Sequence, residues 1–191
     1  MRGGGTESVM QNIEEAIERV LISEEELAGT VKRLAEKINA DYKNEPLILV
    51  IILKGSLVFA TDLMKRLTMP LTIDFMQASS YGSGTVSKGF INIKKDLTTD
   101  IKDKNVLIIE DIIDSGNTLH KLKELLRERN PKSVRICTIL DKPDRRVTEV
   151  EVEYSGISIP DEFVVGYGLD YNEYFRNLPY VGVLKKSVYQ K

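Results

Sequence analysis

At 191 residues with 42% hydrophobic content, the chain has the size of one ordinary domain and enough apolar material for a full core. A net charge of −2 gives no overall basic field, which argues against nucleic acid or an anionic membrane as partner. One cysteine excludes an intrachain disulfide framework, and no apolar stretch reaches membrane-spanning length.

The Gly-rich residues 1–9 read as an added leader with Met10 as the natural start, and nothing there resembles a secretory signal, so a cytoplasmic protein is expected. Residues 10–191 are expected to form a single domain. Residues 13–21 and 23–39 carry apolar residues at helical spacing, the second run opened by a Ser23/Glu26 capping box, so two helices are expected first. A continuous aliphatic strand over 47–53 leads through the turn Lys54-Gly55-Ser56 into an amphipathic helix over 57–67. Residues 71–76 read as a short strand. The Gly/Ser-rich stretch 78–95 suits a hairpin in its second half and, by its length, a mobile lid. The next unit repeats the pattern, with a strand over 106–110, a turn, and a helix over 118–129. Another strand over 134–140 holds Cys137 as a buried structural thiol. Beyond residue 150 come short strands, including 163–165 and 180–184, which read as a small cap of about 150–191 joined by part of the N-terminal region. Strands alternating with helices imply an α/β fold, a mostly parallel twisted sheet flanked by helices.

The strand over 106–110 ends in Glu110 and Asp111 and turns through Ser115-Gly116-Asn117-Thr118 into its helix. Ligands of parallel sheets sit at the carboxyl ends of the strands, so both carboxylates arrive at a ligand crevice. A helix starting near Asn117 or Thr118 offers free N–H groups and a positive dipole end to a phosphate, with hydroxyls from Ser115 and Thr118 as further donors. Asp114 sits within this turn, where an aspartate can be a plain turn former. Gly55, also just past a strand, lets the backbone approach a ligand that any Cβ would exclude. Asp141-Lys142-Pro143-Asp144-Arg145-Arg146 ends a third strand with a basic group, for which a solvated charge run is the plain alternative. His120 reads as a helix-surface histidine. Neither a Gly-x-Gly-x-x-Gly after a strand nor a Walker A pattern occurs.

The segment from Val106 to Leu119 closely resembles the phosphoribosyl-pyrophosphate signature of the type I phosphoribosyltransferases. A second segment, Asp161-Glu-Phe-Val-Val-Gly-Tyr-Gly-Leu-Asp170-Tyr-Asn-Glu-Tyr-Phe-Arg176, is similar to the purine-binding hood of the hypoxanthine-guanine members. The resemblance covers about residues 22–184 and implies that fold, with a hood subdomain. It assigns phosphoribose binding to Glu110, Asp111, Asp114, Ser115, Gly116, Asn117 and Thr118, with Asp114 catalytic beside N7 of the base. Pyrophosphate falls to Lys54, Gly55, Arg146 and Arg176, the loop at Lys54 often carrying a non-proline cis peptide. The purine falls to Lys142, Phe163, Val164 and Asp170, and Mg²⁺ to Glu110, Asp111 and Asp170. Ser80 and Tyr81 match the lid. The implied substrates are phosphoribosyl pyrophosphate and a 6-oxopurine, in a homodimer or homotetramer. Two rivals are a nucleotide-responsive regulator of nucleic acid, which needs a basic face, and a pyrimidine-specific transferase, which should lack the hood.

Overall fold

Six consecutive aliphatic residues form strand β2, Leu47–Ile52, and every one is buried. Leu47, Leu49 and Ile51 enter one apolar cluster while Ile48, Val50 and Ile52 enter another, as alternation requires of a strand covered on both faces. The computed structural model describes residues 13–80 and 91–190. In it, β2 pairs in parallel with β3, Leu71–Ser80, and β5, Asn105–Ile113. The sheet continues in parallel through β6, Ser133–Asp141, to β7, Tyr154–Ser158. On the other edge β4, Ile91–Lys95, runs antiparallel to β3, giving the order β4-β3-β2-β5-β6-β7.

Helix α1, Glu24–Tyr42, starts where expected. Ser23 Oγ accepts from the Glu26 N–H at 3.2 Å, and the Glu26 carboxylate accepts from the Ser23 N–H at 2.8 Å. It shares the first cluster with α2, Ser56–Met64, while α3, Asn117–Arg127, closes the second with Leu119, Leu122 and Leu126. Cys137 is buried in β6, and His120 lies on α3 beside Glu124. Among the described residues no helix is long and apolar enough to cross a membrane.

Two expectations are corrected. Residues 13–21 are not a helix: a 3₁₀ turn, Glu14–Ala16, leads into strand β1, Ile17–Ile22. Beside it runs β9, Val181–Leu184, then β8, Val164–Val165, and a single helical turn, α4, Lys186–Tyr189, follows β9. Register shifts at both ends of the β1–β9 ladder erase the two-residue alternation that marks a strand and leave a spacing that mimics a helix. The stretch 78–95 also differs, because its two ends pair with each other, Ala78 opposite Ile93, as extensions of β3 and β4. The expected lid, with Tyr81, falls in residues 81–90, outside the described residues, and Ser80 is the last residue of β3.

Asp74 ties β3 to the loop before β5. Its carboxylate accepts from the backbone N–H groups of Phe75 at 2.7 Å and of Thr98 and Thr99 at 2.8 Å each. Burial alone would raise its pKa, but these donors hold it well below the usual carboxylate range. Asp74→Ala is therefore expected to cost about 2–4 kcal/mol by leaving three donors unpaired. Because the folded value is depressed, the charge stabilises the fold fully above an unfolded pKa of about 3.9 and progressively less below it. Urea midpoints of wild type and Asp74→Asn should stay a constant distance apart from pH 7 down to about pH 4 and draw together only below it; a gap that holds unchanged at about pH 2.5 would contradict this.

Candidate active site

Glu110 and Asp111 lie on β5, which runs on to Ile113 rather than ending at the carboxylates. Neighbouring strand residues face opposite ways, and the pair divides accordingly. Glu110 lines a cavity of about 280 Å³ with Ala78, Asp114, Ser115, Gly116 and Thr118. Asp111 points instead at the turn after β2, where a Cβ on Gly55 would stand 1.6 Å from its Oδ2. Both acids hold protons more tightly than usual. Burial first and the charge of Asp111 second lift Glu110 well above its ordinary range, and Glu110 Oε2 is buried without a hydrogen-bond partner. Asp111 is pushed up to about 6 by burial, eased by the Ile112 N–H and the Arg176 charge and reinforced by Asp170.

The turn ending in Gly116 is shaped for an anion. Gly116 adopts φ +83°, and a Cβ there would meet the Thr148 carbonyl oxygen at 2.3 Å. Gly116 brings no capping side chain to α3, and although the Asn117 N–H reaches Ser115 Oγ at 3.4 Å, the helix start is open to bind a ligand. The Ser115 carbonyl accepts from Val147 and Thr148 N–H, both at 2.9 Å, which fastens the turn to the segment after β6. Asn117 is tied there too, through the Thr148 hydroxyl, and Thr118 lines the cavity.

The basic run after β6 sits beside this turn. Lys142 is buried, its ammonium donating to the Glu162 carbonyl at 2.6 Å, and burial lowers its pKa against the opposing pull of Asp114 and Asp161. Arg146 pairs with Asp141 and donates from Nε to the Asp114 carbonyl at 3.1 Å, so its contacts lie at the phosphate turn and not at Gly55. Arg145, not singled out in the sequence, places Nε 2.9 Å from the Asp114 carboxylate and also reaches Asp161 at 3.4 Å.

The remaining candidates come from the small sheet and the loop after it. Phe163 precedes β8 and is 38% exposed, while Val164 is buried within it. Gly168 backs the Lys54 loop, since a Cβ on it would stand 2.0 Å from the Gly55 carbonyl oxygen. The Leu53-Lys54 peptide is cis. Arg176 donates to the Gly168 carbonyl at 2.8 Å and pairs with Asp170 at 2.9 Å, leaving its Nε buried without a partner. Glu173, also unforeseen, bridges Lys54 at 2.7 Å and Arg176 at 3.4 Å. A larger cavity, about 510 Å³, lies at the opposite, amino ends of β2, β3 and β5. There Glu45, Lys132 and Asn105 are already paired with one another.

A phosphoribosyl transferase domain model matches residues 21–172. The hypoxanthine-guanine phosphoribosyltransferase of Streptococcus pneumoniae is 51% identical over 93% of this chain and 98% of its own length. The Staphylococcus epidermidis enzyme of that name is 53% identical over 92% and 98%. The chain belongs to the hypoxanthine-guanine phosphoribosyltransferase family. Solved structures agree: a Staphylococcus aureus hypoxanthine phosphoribosyltransferase superposes with a TM-score of 0.90 at 50% identity, covering 94% of this chain and 97% of that one. A Trypanosoma cruzi family member gives 0.87 at 37% identity, with 92% and 95% covered. Membership spans both halves of the candidate site, the phosphate turn and the residues around Phe163. The nucleic-acid regulator draws no support from these relatives, all transferases by name.

Proposed function

We propose that this chain moves the 5-phosphoribosyl group from phosphoribosyl pyrophosphate to N9 of hypoxanthine or guanine, releasing the nucleoside monophosphate and pyrophosphate. The observation that carries this reading is the convergence on one cavity of the α3 N-terminus, the Glu110 carboxylate and Asp114, with the Lys142 ammonium held by the carbonyl of Glu162, the residue before Phe163. The first turn of α3, with Ser115 and Thr118, takes the 5-phosphate. Glu110 and Asp111 serve the sugar hydroxyls. Lys142 donates to the 6-oxo group, and Phe163 stacks on the ring with the Val164 backbone at its edge.

The C1–O bond to pyrophosphate breaks, C1–N9 forms, and the base gives up one proton near Asp114. Negative charge grows on the leaving group, next to the Lys54-Gly55 backbone and the guanidinium of Arg176, while Glu110 meets the cationic sugar from the cavity and Asp111 meets it from beside the Lys54-Gly55 turn. Arg146, by its contacts, acts here by holding the Asp114 loop. Glu110, Asp111 and Asp170 would each offer Mg²⁺ a hard carboxylate oxygen. Among the described residues no three acidic, histidine or cysteine side chains gather to hold a metal ion unaided. That fits an ion that takes one or two carboxylates and shares the substrate's own oxygens. When bound, Mg²⁺ neutralises pyrophosphate charge.

An ultraviolet assay with phosphoribosyl pyrophosphate and Mg²⁺ tests the reading with hypoxanthine, guanine, xanthine, adenine and uracil offered separately. Turnover is expected with hypoxanthine and guanine, none with adenine, whose amino group meets a buried donor at Lys142, and none when Mg²⁺ is chelated. Adenine or uracil turnover alone would overturn the assignment of the base site. A homodimer or homotetramer completes the reading, with exposed Leu57 and Ile73 as its apolar contact. Sedimentation showing one chain per particle would exclude it.

A further inference from the structure

We propose that Tyr189, on the last helical turn, is a positioning residue of the base site, fixing the Phe163 ring against which the base packs. This rests on the purine reading above and adds to it the segment after β9.

Phe163 is an unusual surface aromatic because it is 38% exposed and yet braced by two aromatic rings. Tyr189 stacks on it with centroids 4.7 Å apart and planes at 22°, and Tyr171 meets it edge-on at 5.7 Å and 87°. Both tyrosines are themselves held. The Tyr171 hydroxyl donates to the Val188 carbonyl at 3.4 Å. The Lys185 N–H donates to the Ala16 carbonyl at 3.0 Å, and its ammonium donates to the Glu15 carbonyl at 2.6 Å. Tyr189 packs with the apolar cluster of Ala16, Val165, Phe175, Leu178 and Leu184, so the covered face of Phe163 is the one turned to the small sheet. Its 38% exposure leaves part of the ring for a ligand. Backbone bonds complete the frame, since the Phe163 carbonyl accepts from Leu184 N–H at 2.9 Å and the carbonyl before it holds the Lys142 ammonium.

A lone exposed phenylalanine samples several rotamers and loses that freedom when a base stacks on it. The bracing by Tyr189 removes this cost beforehand, and offset-stacked pairs of this geometry add attraction beyond the area they bury. A filler of the small-sheet core would act alike on both substrates. A brace for the ring acts on the base alone.

The test is steady-state kinetics of Tyr189→Ala and Tyr189→Phe, with thermal melting as a check on folding and calorimetric binding of the nucleoside monophosphate. Tyr189→Ala should raise KM for hypoxanthine and guanine and weaken monophosphate binding by roughly five- to tenfold. KM for phosphoribosyl pyrophosphate should hold, and Tyr189→Phe should restore the base KM. An unchanged base KM in Tyr189→Ala would overturn the proposal, as would an equal rise in both KM values. So would a lowered base KM, which would mean that Tyr189 covers the face the base needs. If wild type turns over no 6-oxopurine, the purine reading itself fails and takes this inference with it; with an active wild type, the variants judge Tyr189 alone.

Discussion

Asp114→Asn is expected to lower kcat by about 10²–10⁴-fold, the range supplied by a positioned general acid–base group. The substitution keeps the shape of the side chain and removes its basicity. Stability should be little changed, because the Asp114 side chain is about half exposed and its ion pair is with Arg145, which is also half exposed; such pairs contribute little. What holds the loop is the Asp114 backbone carbonyl, which accepts from Arg146 and is untouched by the change. The loss should therefore appear in kcat and not in the melting temperature, with KM for phosphoribosyl pyrophosphate near wild type. A kcat within about tenfold of wild type would remove Asp114 from proton transfer. A selective rise in KM for phosphoribosyl pyrophosphate would make it a sugar ligand instead.

Gly55→Ala should be nearly as damaging, by a different route. The added methyl would fall 1.6 Å from Asp111 Oδ2, 2.8 Å from its Cγ, and 3.4 Å from the Gly168 carbonyl oxygen. The methyl would fall on the Asp111 carboxylate, on a central strand, with the backbone of Gly168 behind it on the loop carrying Asp170 and Arg176, so it fits only if a site residue moves. Either the turn backs away from β5 or Asp111 leaves its position. Displacements of this size around a reacting centre cost on the order of 10²-fold in kcat/KM, and overpacking adds about 1–3 kcal/mol of destabilisation. Kinetics with phosphoribosyl pyrophosphate as varied substrate, alongside denaturant unfolding, would measure both. Near-normal kcat/KM would show that the Lys54-Gly55 turn does not contact that substrate.

Some of this was readable from the letters and some was not, along a physical divide. The aliphatic run at 47–52 and the strand–turn–helix unit from Val106 are local in cause, and both form as expected. Of the turn's candidates, Glu110, Asp114, Ser115, Gly116 and Thr118 come together on one cavity because they are nearly contiguous. Residues 13–21 failed because their strand partner lies some 160 residues away and the ladder between them shifts register twice. Long-range pairing also hid Arg145, Glu173 and Tyr189, whose partners Asp114, Lys54 and Phe163 share no spacing with them. The role given to Arg146 leaned on position just past a strand end, whereas its contacts are to Asp141, the last residue of β6, and to the Asp114 carbonyl. Splitting of Glu110 and Asp111 to opposite faces follows from strand geometry and becomes visible only once β5 is seen to run past them.

Among the described residues the six-stranded and three-stranded sheets are separate, and no ladder of backbone bonds joins one to the other. Leu27 and Val31 of α1 lie in one apolar cluster with Val164, Val181 and Val183 of the small sheet, so side-chain packing makes the join. Ladders resist stretching, because displacement breaks bonds in series, whereas packed apolar faces slide over small distances while keeping most of their contact. The gap between Asp114, at the end of β5, and Phe163, beside β8, is therefore the compliant dimension of the molecule. A bicyclic base could be gripped and a larger nucleotide released by shear along that seam, with every backbone ladder intact.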